Sequence, residues 1–330
     1  MVSSPDSKVF GENVIDEKLV RKLCFGGVRN KYRGVAWRIL FQVVGLKKQF
    51  HREEVEVGHA KYAEMVARMG CSCQMGEYFY GGRDLNIDKS SLENLNKTKH
   101  HALKLPEKIV HQIDLDIKRI DLRYRTYLGV DISYMYYRVL WLIAYKRPLL
   151  GYIQGMADIL VPFVFVFSHE DVERAESNAY FCYARLLDET QHNIMDLQTG
   201  MIKSLDFVLQ MVDPDLHKFL KDIGLEIHMF AFRWFNCFFT REFKIPILLK
   251  VLDTIFSSDS INESLLYFGV ALLMKFKPVL IENDFSHNIL FLQSIYEQTW
   301  EEAEIELVLS SAKFYRKVTS KQLLWSRFWG

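Results

Sequence analysis

Gln112–Arg119 (QIDLDIKR) and Gly151–Asp158 (GYIQGMAD) flank an amphipathic segment, and the rest of the chain is organised around these residues. Apolar residues of the intervening segment recur at the spacing of one helical face: Ile132, Met135, Tyr136, Val139, Leu140 and Ile143. Asp131 can accept hydrogen bonds from the first free backbone N–H groups of this helix. The sequence therefore predicts a rigid, buried helix between Arg119 and Gln154.

The composition predicts a globular protein with a large core. The chain has 330 residues, of which 49% are apolar and 14% aromatic, a size that suggests two subdomains. Its formal charge of +1 provides no overall basic field, so nucleic acid is not an expected partner.

Three features favour a cytoplasmic location without a transmembrane segment. The first eight residues lack the apolar core of a signal peptide, and the longest apolar run, Ile159–Phe167, is shorter than the roughly 20 residues that cross a bilayer. The odd number of cysteines, at positions 24, 71, 73, 182 and 237, does not form a disulfide framework.

The chain begins with two regions of different character. Residues 1–15 are polar and aperiodic, which predicts a flexible tail, whereas Glu17–Val44 has helical periodicity. Residues 70–99 are rich in Gly, Ser, Asn and charge, which predicts a loop or mobile insertion. Cys71, Cys73 and the histidines at 100 and 101 fit no common zinc spacing, so no metal site is predicted there.

The region after Gln154 has the pattern of successive helices, so the predicted fold class is all-α. Ile159–Phe167 taken alone also fits a buried strand, and residues 227–239 are apolar almost all the way round, which indicates a helix at the centre of a second core. The predicted helices after these first segments are Val172–Glu189, Met201–Met211, Pro214–Ile223, Glu226–Phe239, Ile245–Phe256, Glu263–Phe276, Asn288–Ile295 and Trp300–Val318. Helix starts are indicated by Asp213 before Pro214 and by the capping boxes Ser260 with Glu263 and Thr299 with Glu302.

Three short motifs occur in an order that resembles the TBC domain family, the GTPase-activating proteins for Rab GTPases. They are Arg33-x-x-x-Trp37, Ile113-x-x-Asp116-x-x-Arg119 and Tyr152-x-Gln154-Gly155. The similarity continues through Phe232–Phe235, Arg241-Glu242 and Asp253-Thr254. Each motif alone is weakly specific, and their shared order carries the resemblance.

The resemblance implies an all-helical, V-shaped Rab-GAP domain over residues 16–330. Its N-terminal catalytic subdomain would cover about 16–210 and its C-terminal helical subdomain about 211–330. Arg119 would act as an arginine finger supplied in trans, and Gln154 would orient the attacking water. The chain would then be a GTPase activator and not a stand-alone enzyme. Its partner would be a Rab in the GTP-bound state, which would bring GTP and Mg²⁺, so no cofactor is expected in this chain.

Seven further residues are expected to support this pair. Asp116 lies one helical turn before Arg119 and can orient its guanidinium group, and Ile113 belongs to the same motif. Tyr152, Gly155 and Asp158 are expected to shape the turn that carries Gln154, with Gly155 allowing close backbone approach. Arg33 and Trp37 are expected to brace the arginine segment from the first helix.

Three positions depart from the family pattern and leave a second hypothesis open. Ile120, Ala157 and Leu252 stand where the family usually has a polar residue, an asparagine and a tryptophan. The loss of polar groups at 120 and 157 would affect loop positioning, so the alternative is a TBC-like scaffold that binds a Rab or another helical partner with weak or no acceleration of hydrolysis.

Two other interpretations are less favoured. Arg123 and Arg125 could be rival fingers, although nearby acids favour a mixed, solvated face. Cys182, with Asp188 and His192, could suggest a self-contained hydrolase, but Cys182 lies in an apolar context typical of a buried thiol. The pattern around Gly151 is most similar to the Golgi-associated branch of the family. It implies peripheral attachment at Golgi or endosomal membranes through the Rab, and a role in vesicle trafficking.

Overall fold

The computed structural model describes residues 5–70, 105–190 and 194–329. Within these ranges the chain forms sixteen α-helices, two 3-10 turns and one two-stranded antiparallel hairpin, β1 (Thr126–Tyr127) and β2 (Val130–Asp131). The predicted insertion at 70–99 and the cysteine and histidine pairs near it lie almost entirely outside the described residues. The 3-10 turns are Lys48–Phe50 and Ile295–Glu297. The helices are α1 (Pro5–Val9), α2 (Glu17–Phe25), α3 (Asn30–Leu40), α4 (His51–Gly70), α5 (Glu107–Arg119), α6 (Leu122–Arg125), α7 (Ser133–Lys146), α8 (Met156–Glu170), α9 (Ala175–Thr190), α10 (Ile194–Val212), α11 (Pro214–Asp222), α12 (His228–Asn236), α13 (Ile245–Phe256), α14 (Ile261–Leu280), α15 (Phe285–Gln293) and α16 (Glu302–Trp329).

The chain divides into two compact units. The first contains the residues up to Glu17 together with Arg29–Leu187, and the second contains Lys18–Val28 and the residues from Asp188 onward. This division differs from the predicted boundary near residue 210. The reason is that α10 contacts α11, α12, α14 and α16, so it belongs with the helices that follow it.

Helix α7 is the central helix of the first unit and matches the predicted rod. Residues from Met135 to Ala144 are all buried, and Asp131 Oδ1 accepts a 2.7 Å hydrogen bond from the Ser133 backbone N–H. Arg138 on this helix forms a buried ion pair with Glu176, with 2.7 Å between Nε and Oε1. Tyr62 donates a 2.6 Å hydrogen bond to the same carboxylate. A buried pair of this kind is tolerated because its charges are matched and hydrogen-bonded.

Helix α8 is formed where the sequence also allowed a strand. Ile159–Phe167 lies within it, and Pro162 is accommodated inside the helix. The helix is apolar on most of its surface because it is covered from several sides: it contacts α3, α5 and α7. A helix that is buried on most sides lacks the alternation of apolar and polar residues every 3.6 positions. Without that alternation, the sequence pattern cannot distinguish it from a buried strand.

The predicted flexible tail is wrong for its described part. Pro5–Val9 is helical, Phe10 and Ile15 are buried, and the Phe10 ring stacks on Tyr32 with 4.9 Å between centroids. The Ile15 backbone N–H donates to the Leu46 carbonyl at 2.8 Å. Isolated apolar residues carry no periodic signal, so these contacts with distant partners were not visible in the sequence pattern.

The second unit contains most of the predicted helices and the predicted caps at Asp213 and Ser260. Asp213 accepts from the Leu216 backbone N–H at 2.8 Å, and Ser260 accepts from that of Glu263 at 3.3 Å. The third predicted cap is wrong: α16 begins at Glu302, and the Glu304 side chain accepts from the Glu301 backbone N–H. The N-terminus of α16 therefore lies two residues later than Thr299 indicated.

Helix α12 is shorter and less enclosed than predicted. It ends at Asn236, because Phe238 and Phe239 adopt positive φ and the Phe239 N–H donates back to the Trp234 carbonyl at 2.9 Å. Trp234 and Phe235 are buried, but Phe232 is 44% exposed. The helix therefore packs on one face, and the expected enclosure on all sides is wrong.

The hairpin tip offers a direct test of backbone strain. Leu128 and Gly129 connect β1 to β2 with φ of 49° and 78°, and Leu128 is 88% exposed. A turn with two positive φ values favours Asn or Gly, and a leucine there is strained. Leu128→Asn is therefore expected to raise the free energy of unfolding by about 0.5–1 kcal/mol, measured by chemical denaturation.

A matched control distinguishes relief of backbone strain from the effect of replacing an exposed leucine with a polar residue. Leu149 is 97% exposed and does not have a positive φ. Leu149→Asn makes the same chemical change without relieving strain, so its effect is expected to be near zero. An equal gain from both substitutions would contradict the strain explanation.

Candidate functional site

Arg119 is the last residue of α5, and its guanidinium group is directed by the helix that carries it. Its side chain is 55% exposed, and Nη1 donates a 3.1 Å hydrogen bond to Oδ1 of Asp116, three residues earlier on the same face. A cation at a helix C-terminus is favoured by the helix dipole. Asp116 therefore holds the guanidinium group through Nη1, while much of the group remains exposed to solvent.

Asp116 is the buried centre of this arrangement, with only 4% of its surface exposed. Oδ1 also accepts from Nε2 of Gln112 at 3.2 Å, and Oδ2 accepts from the hydroxyl of Tyr152 at 2.8 Å. Burying a carboxylate is costly unless hydrogen bonds compensate it. The three donors thus fix Asp116, and Asp116 in turn fixes Arg119. Gln112 was missed in the sequence analysis, although its position four residues before Asp116 placed both on one helical face.

Tyr152 connects the arginine helix to the glutamine segment. Burial, followed by the negative charges of Asp116 and Asp158, raises the pKa of Tyr152 well above its ordinary range. The phenol therefore stays protonated and remains a hydrogen-bond donor to Asp116. Because Gln154 is two residues further along the chain, the same contact fixes the start of its turn.

Gln154 is exposed in the turn that precedes α8. Gly155 has a φ of 102°, a conformation that favours glycine, and is the first residue before the helix. The Met156 backbone N–H donates to the Ile153 carbonyl at 3.1 Å, and the Met156 carbonyl accepts from the hydroxyl of buried Tyr183 at 3.0 Å. The turn is thus held by hydrogen bonds next to Gln154, which is itself exposed.

The other predicted supporting residues lie around this centre. Ile113 is fully buried on α5, and Asp158 lies in the first turn of α8. The Trp37 ring contacts Phe163 of α8 at 5.1 Å between centroids, and Arg33 donates to the side chain of Asn30. Trp37 therefore supports the helix that follows Gln154. Bracing of the arginine segment itself by Arg33 and Trp37 stays a prediction.

Two of the three positions that depart from the family pattern carry apolar side chains that are buried in the first unit. Ile120 is 6% exposed and Ala157 is 1% exposed. The Ile120 carbonyl accepts from Nε of Arg125 at 2.9 Å, which holds the backbone directly after Arg119. Arg125 thus has a structural contact within this loop.

The rival finger Arg123 is engaged by its neighbour. Its guanidinium group donates to Asp121 from Nε at 3.0 Å and from Nη2 at 2.6 Å. Hydrogen bonds from Arg123 lower the pKa of the Asp121 carboxyl, which remains ionised as its partner. Arg123 remains 68% exposed and therefore makes a suitable comparison for Arg119.

Neither the hydrolase interpretation nor a metal site gains support from the described residues. Burial raises the pKa of the Cys182 thiol, so the nucleophilic thiolate is disfavoured. His192 lies outside the described residues. Across residues 5–70, 105–190 and 194–329, no group of three or more His, Cys, Asp or Glu side chains is placed to hold a metal ion. In the same ranges, no helix is long and apolar enough to cross a membrane.

The fold and the order of these elements define a class of protein. Residues 30–281 match the family model of the Rab-GTPase-TBC domain, so the chain belongs to that family. It is 26% identical to the GTPase-activating protein gyp1 of Schizosaccharomyces pombe, over 95% of this chain and 60% of the relative. It is 25% identical to human TBC1 domain family member 22A, over 92% of this chain and 57% of the relative. The chain thus spans about three fifths of the length of these curated relatives.

Solved structures confirm the predicted all-helical fold class. The crystal structure of the Ypt/Rab-GAP domain of Gyp1p is similar with a TM-score of 0.79 and 22% identity, covering 95% of this chain and 97% of that one. The flagellar RabGAP TBC domain of Chlamydomonas is similar with a TM-score of 0.60 and 15% identity, covering 90% and 82%. At these identities the likeness concerns the fold.

The hydrogen bond between Tyr152 and Asp116 predicts a specific pH dependence of stability. Tyr152→Phe is expected to lower the free energy of unfolding at pH 7 by about 1–2 kcal/mol, because it removes one donor from a buried carboxylate. The folded-state pKa of Tyr152 is raised above the value of about 10 in the unfolded chain. The contribution of Tyr152 is therefore present below pH 10 and is lost as the pH rises above it.

The measurement is chemical denaturation of wild type and Tyr152→Phe from pH 7 to pH 11. Above pH 10, the difference between the two proteins is expected to shrink by up to about 1.4 kcal/mol per pH unit. Other buried tyrosines with a raised pKa, such as Tyr136, are present in both proteins and cancel in the comparison. A difference that stays constant to pH 11 would contradict this assignment.

Proposed function

We propose that this chain accelerates GTP hydrolysis by a Rab-family GTPase, using Arg119 and Gln154 as residues supplied in trans. The observation that carries the proposal is the hydrogen-bonded sequence from Arg119 through Asp116 to Tyr152, two residues before Gln154. These hydrogen bonds among Arg119, Asp116 and Tyr152 form a framework that carries the exposed guanidinium group of Arg119 and leads directly to the exposed amide of Gln154. Family membership and the GTPase-activating protein named among the relatives support the same function.

The chemistry of phosphoryl transfer explains why these two groups would suffice. The transition state spreads negative charge over the transferring phosphoryl oxygens and needs a water held in line with the leaving group. Arg119 supplies positive charge, and within the described residues its guanidinium group is hydrogen-bonded only to Asp116, which leaves other N–H groups for the phosphate. The Gln154 amide can both donate to and accept from the attacking water.

The framework contributes by restricting motion before the partner arrives. Asp116 is buried, and both of its oxygens accept hydrogen bonds, so Arg119 does not have to be ordered during the reaction. Pre-organised charges are worth more at a transition state than charges that must be moved into place. GTP and Mg²⁺ would be bound by the GTPase, and this chain would need no cofactor of its own.

The alternative is a scaffold that binds a Rab without accelerating hydrolysis, and the observation behind it is the pair Ile120 and Ala157. Both replace polar residues of the family pattern with buried apolar ones. Because both side chains are accommodated within the packing, active catalysis remains the favoured proposal. In either case, the proposed place of action is peripheral to Golgi or endosomal membranes through the Rab, in vesicle trafficking.

The catalytic pair is tested by phosphate release from a panel of GTP-loaded Rabs. Arg119→Ala is expected to reduce the acceleration by about 10³-fold or more, since an arginine finger contributes about 10³ to 10⁵ in rate. Gln154→Ala is expected to remove most of it as well. Circular dichroism and a melting curve establish that each variant is folded.

Arg123→Ala is the matched control. It removes an arginine of similar exposure four residues further on, and Asp121 is left on the surface. Its rate is expected to stay within about threefold of wild type, because a surface ion pair contributes little. Equal losses at 119 and 123 would indicate general charge attraction and contradict a finger role. Binding of a Rab without acceleration would establish the scaffold alternative.

The positioning roles of Asp116 and Tyr152 are tested separately. Tyr152→Phe is expected to lower kcat about ten- to a hundredfold with little change in KM for the Rab, because it loosens the framework and removes no partner contact. In an Asp116→Asn background the same change is expected to add much less, since Tyr152 acts through that carboxylate. Fully additive losses would contradict the proposed connection.

A further inference from the structure

The second unit contains a cavity of about 620 Å³ that the proposed function does not use. Helices α2, α13, α14 and α16 surround it, and its volume is within the range of about 300–1,000 Å³ typical of ligand pockets. Its interior is lined by apolar and aromatic side chains. These are Phe25, Ile255, Tyr267, Phe268, Leu309 and Ala312.

The walls of the cavity are held by well-defined contacts. Thr254 donates to the Phe25 carbonyl at 2.9 Å, and the Val28 backbone N–H donates to Oδ2 of Asp253 at 3.0 Å. The Tyr267 hydroxyl forms a 2.6 Å hydrogen bond with Thr319. These contacts fix α2 against α13 and α14 against α16, so the space between the helices is a formed part of the fold.

The charges around the cavity are strongly unbalanced. Five basic residues line it against one acidic residue, Asp259, although the whole chain has a net charge of only +1. The basic residues are Lys18, Arg21, Lys22, Lys313 and Arg316. This excess of positive charge favours an anion at the opening.

Arg21 and Arg316 have structural partners. Arg21 Nη1 donates to the carbonyls of Ser257 and Ser258 at 3.2 and 3.3 Å, which satisfies the C-terminal end of α13. Arg316 forms an ion pair with Glu263 and donates to Oγ of Ser258 at 3.3 Å. Both arginines contribute positive potential at the opening, but their guanidinium groups are already bonded to groups of the protein itself.

Lys22 and Lys313 are different. Both side chains are exposed, and neither forms an ion pair with any residue in the described ranges. Nζ of Lys313 lies 4.5 Å from the centroid of the Phe25 ring, where the apolar interior meets the basic opening. Two ammonium groups without acidic partners thus stand next to an apolar cavity.

We propose that this cavity binds a single-chain anionic lipid, with the alkyl chain among the aromatic side chains and a phosphate head at Lys22 and Lys313. An inorganic anion would leave the apolar interior unfilled, and a neutral lipid would leave both ammonium groups without a counter-charge. The combination of an apolar interior and two uncompensated cations selects an amphiphilic anion. The inference goes beyond the proposed GTPase activation and does not depend on it.

The test is isothermal titration calorimetry of the whole chain with monomeric lysophosphatidic acid. Lysophosphatidylcholine has the same chain without net negative charge, and glycerol 3-phosphate has the same head without a chain. We expect lysophosphatidic acid to bind at least about tenfold more tightly than either, since each lacks one of the two recognised parts. Equal affinity for glycerol 3-phosphate or lysophosphatidylcholine, or no binding of lysophosphatidic acid, would overturn the proposal.

Variants locate the site. The double substitution Lys22→Gln with Lys313→Gln is expected to weaken lysophosphatidic acid binding at least about tenfold, because it removes both charge-assisted contacts. Lys218→Gln is the control: Lys218 is an exposed lysine of the same unit that does not line the cavity. An equal loss in the control would mean diffuse electrostatic attraction and overturn the site.

A third variant tests the interior and distinguishes a captured chain from a headgroup at a bilayer surface. Ala312→Leu adds volume inside the cavity and is expected to weaken binding of monomeric lysophosphatidic acid, once a melting curve establishes that the protein is folded. Cosedimentation with vesicles that contain phosphatidic acid is the comparison. Vesicle binding without any binding of the monomer would overturn the captured-chain proposal.

Discussion

The buried carboxylate of Asp116 is the constraint on which the candidate site depends. A charge with only 4% exposure must be compensated within the protein, and its donors come from Gln112 and Arg119 on one helix and from Tyr152 after another. Satisfying one group therefore fixes two segments of the chain together. The exposed ends of those segments, Arg119 and Gln154, take their positions from this requirement.

The surrounding first unit makes this arrangement rigid through a second set of buried charges. Arg138 and Glu176 join α7 to α9, and Tyr62 from α4 donates a hydrogen bond to the same carboxylate. Such pairs add little net stability, but losing one partner costs about 3–5 kcal/mol. They therefore select one arrangement of helices over its alternatives. Their main effect is therefore on the arrangement of the helices that carry the site, and their contribution to the free energy of folding is small.

The second unit shows how motif residues can be structural. Arg233 binds buried Glu242 through two hydrogen bonds of 2.7 Å, and Asp253 accepts from the Val28 backbone. These residues extended the family resemblance in sequence, yet their contacts hold helices and turns together. The same unit contains the basic-rimmed cavity beside α2, a feature assembled from residues about 290 positions apart, as between Lys22 and Lys313. No local pattern in the sequence indicated it.

The sequence by itself determined the all-helical class, the helix between the two motifs, and the caps at Asp213 and Ser260, whereas the candidate pair came from the resemblance of the motifs to a family. These depend on periodicity and on contacts within a few residues, which local patterns record. Only the tertiary structure decided that Phe10 and Ile15 are buried, that Ile159–Phe167 is helical, and that Tyr152 binds Asp116 across 36 positions. Such outcomes depend on which distant groups meet, because a buried apolar or charged side chain takes its stability from partners that its sequence neighbours do not reveal.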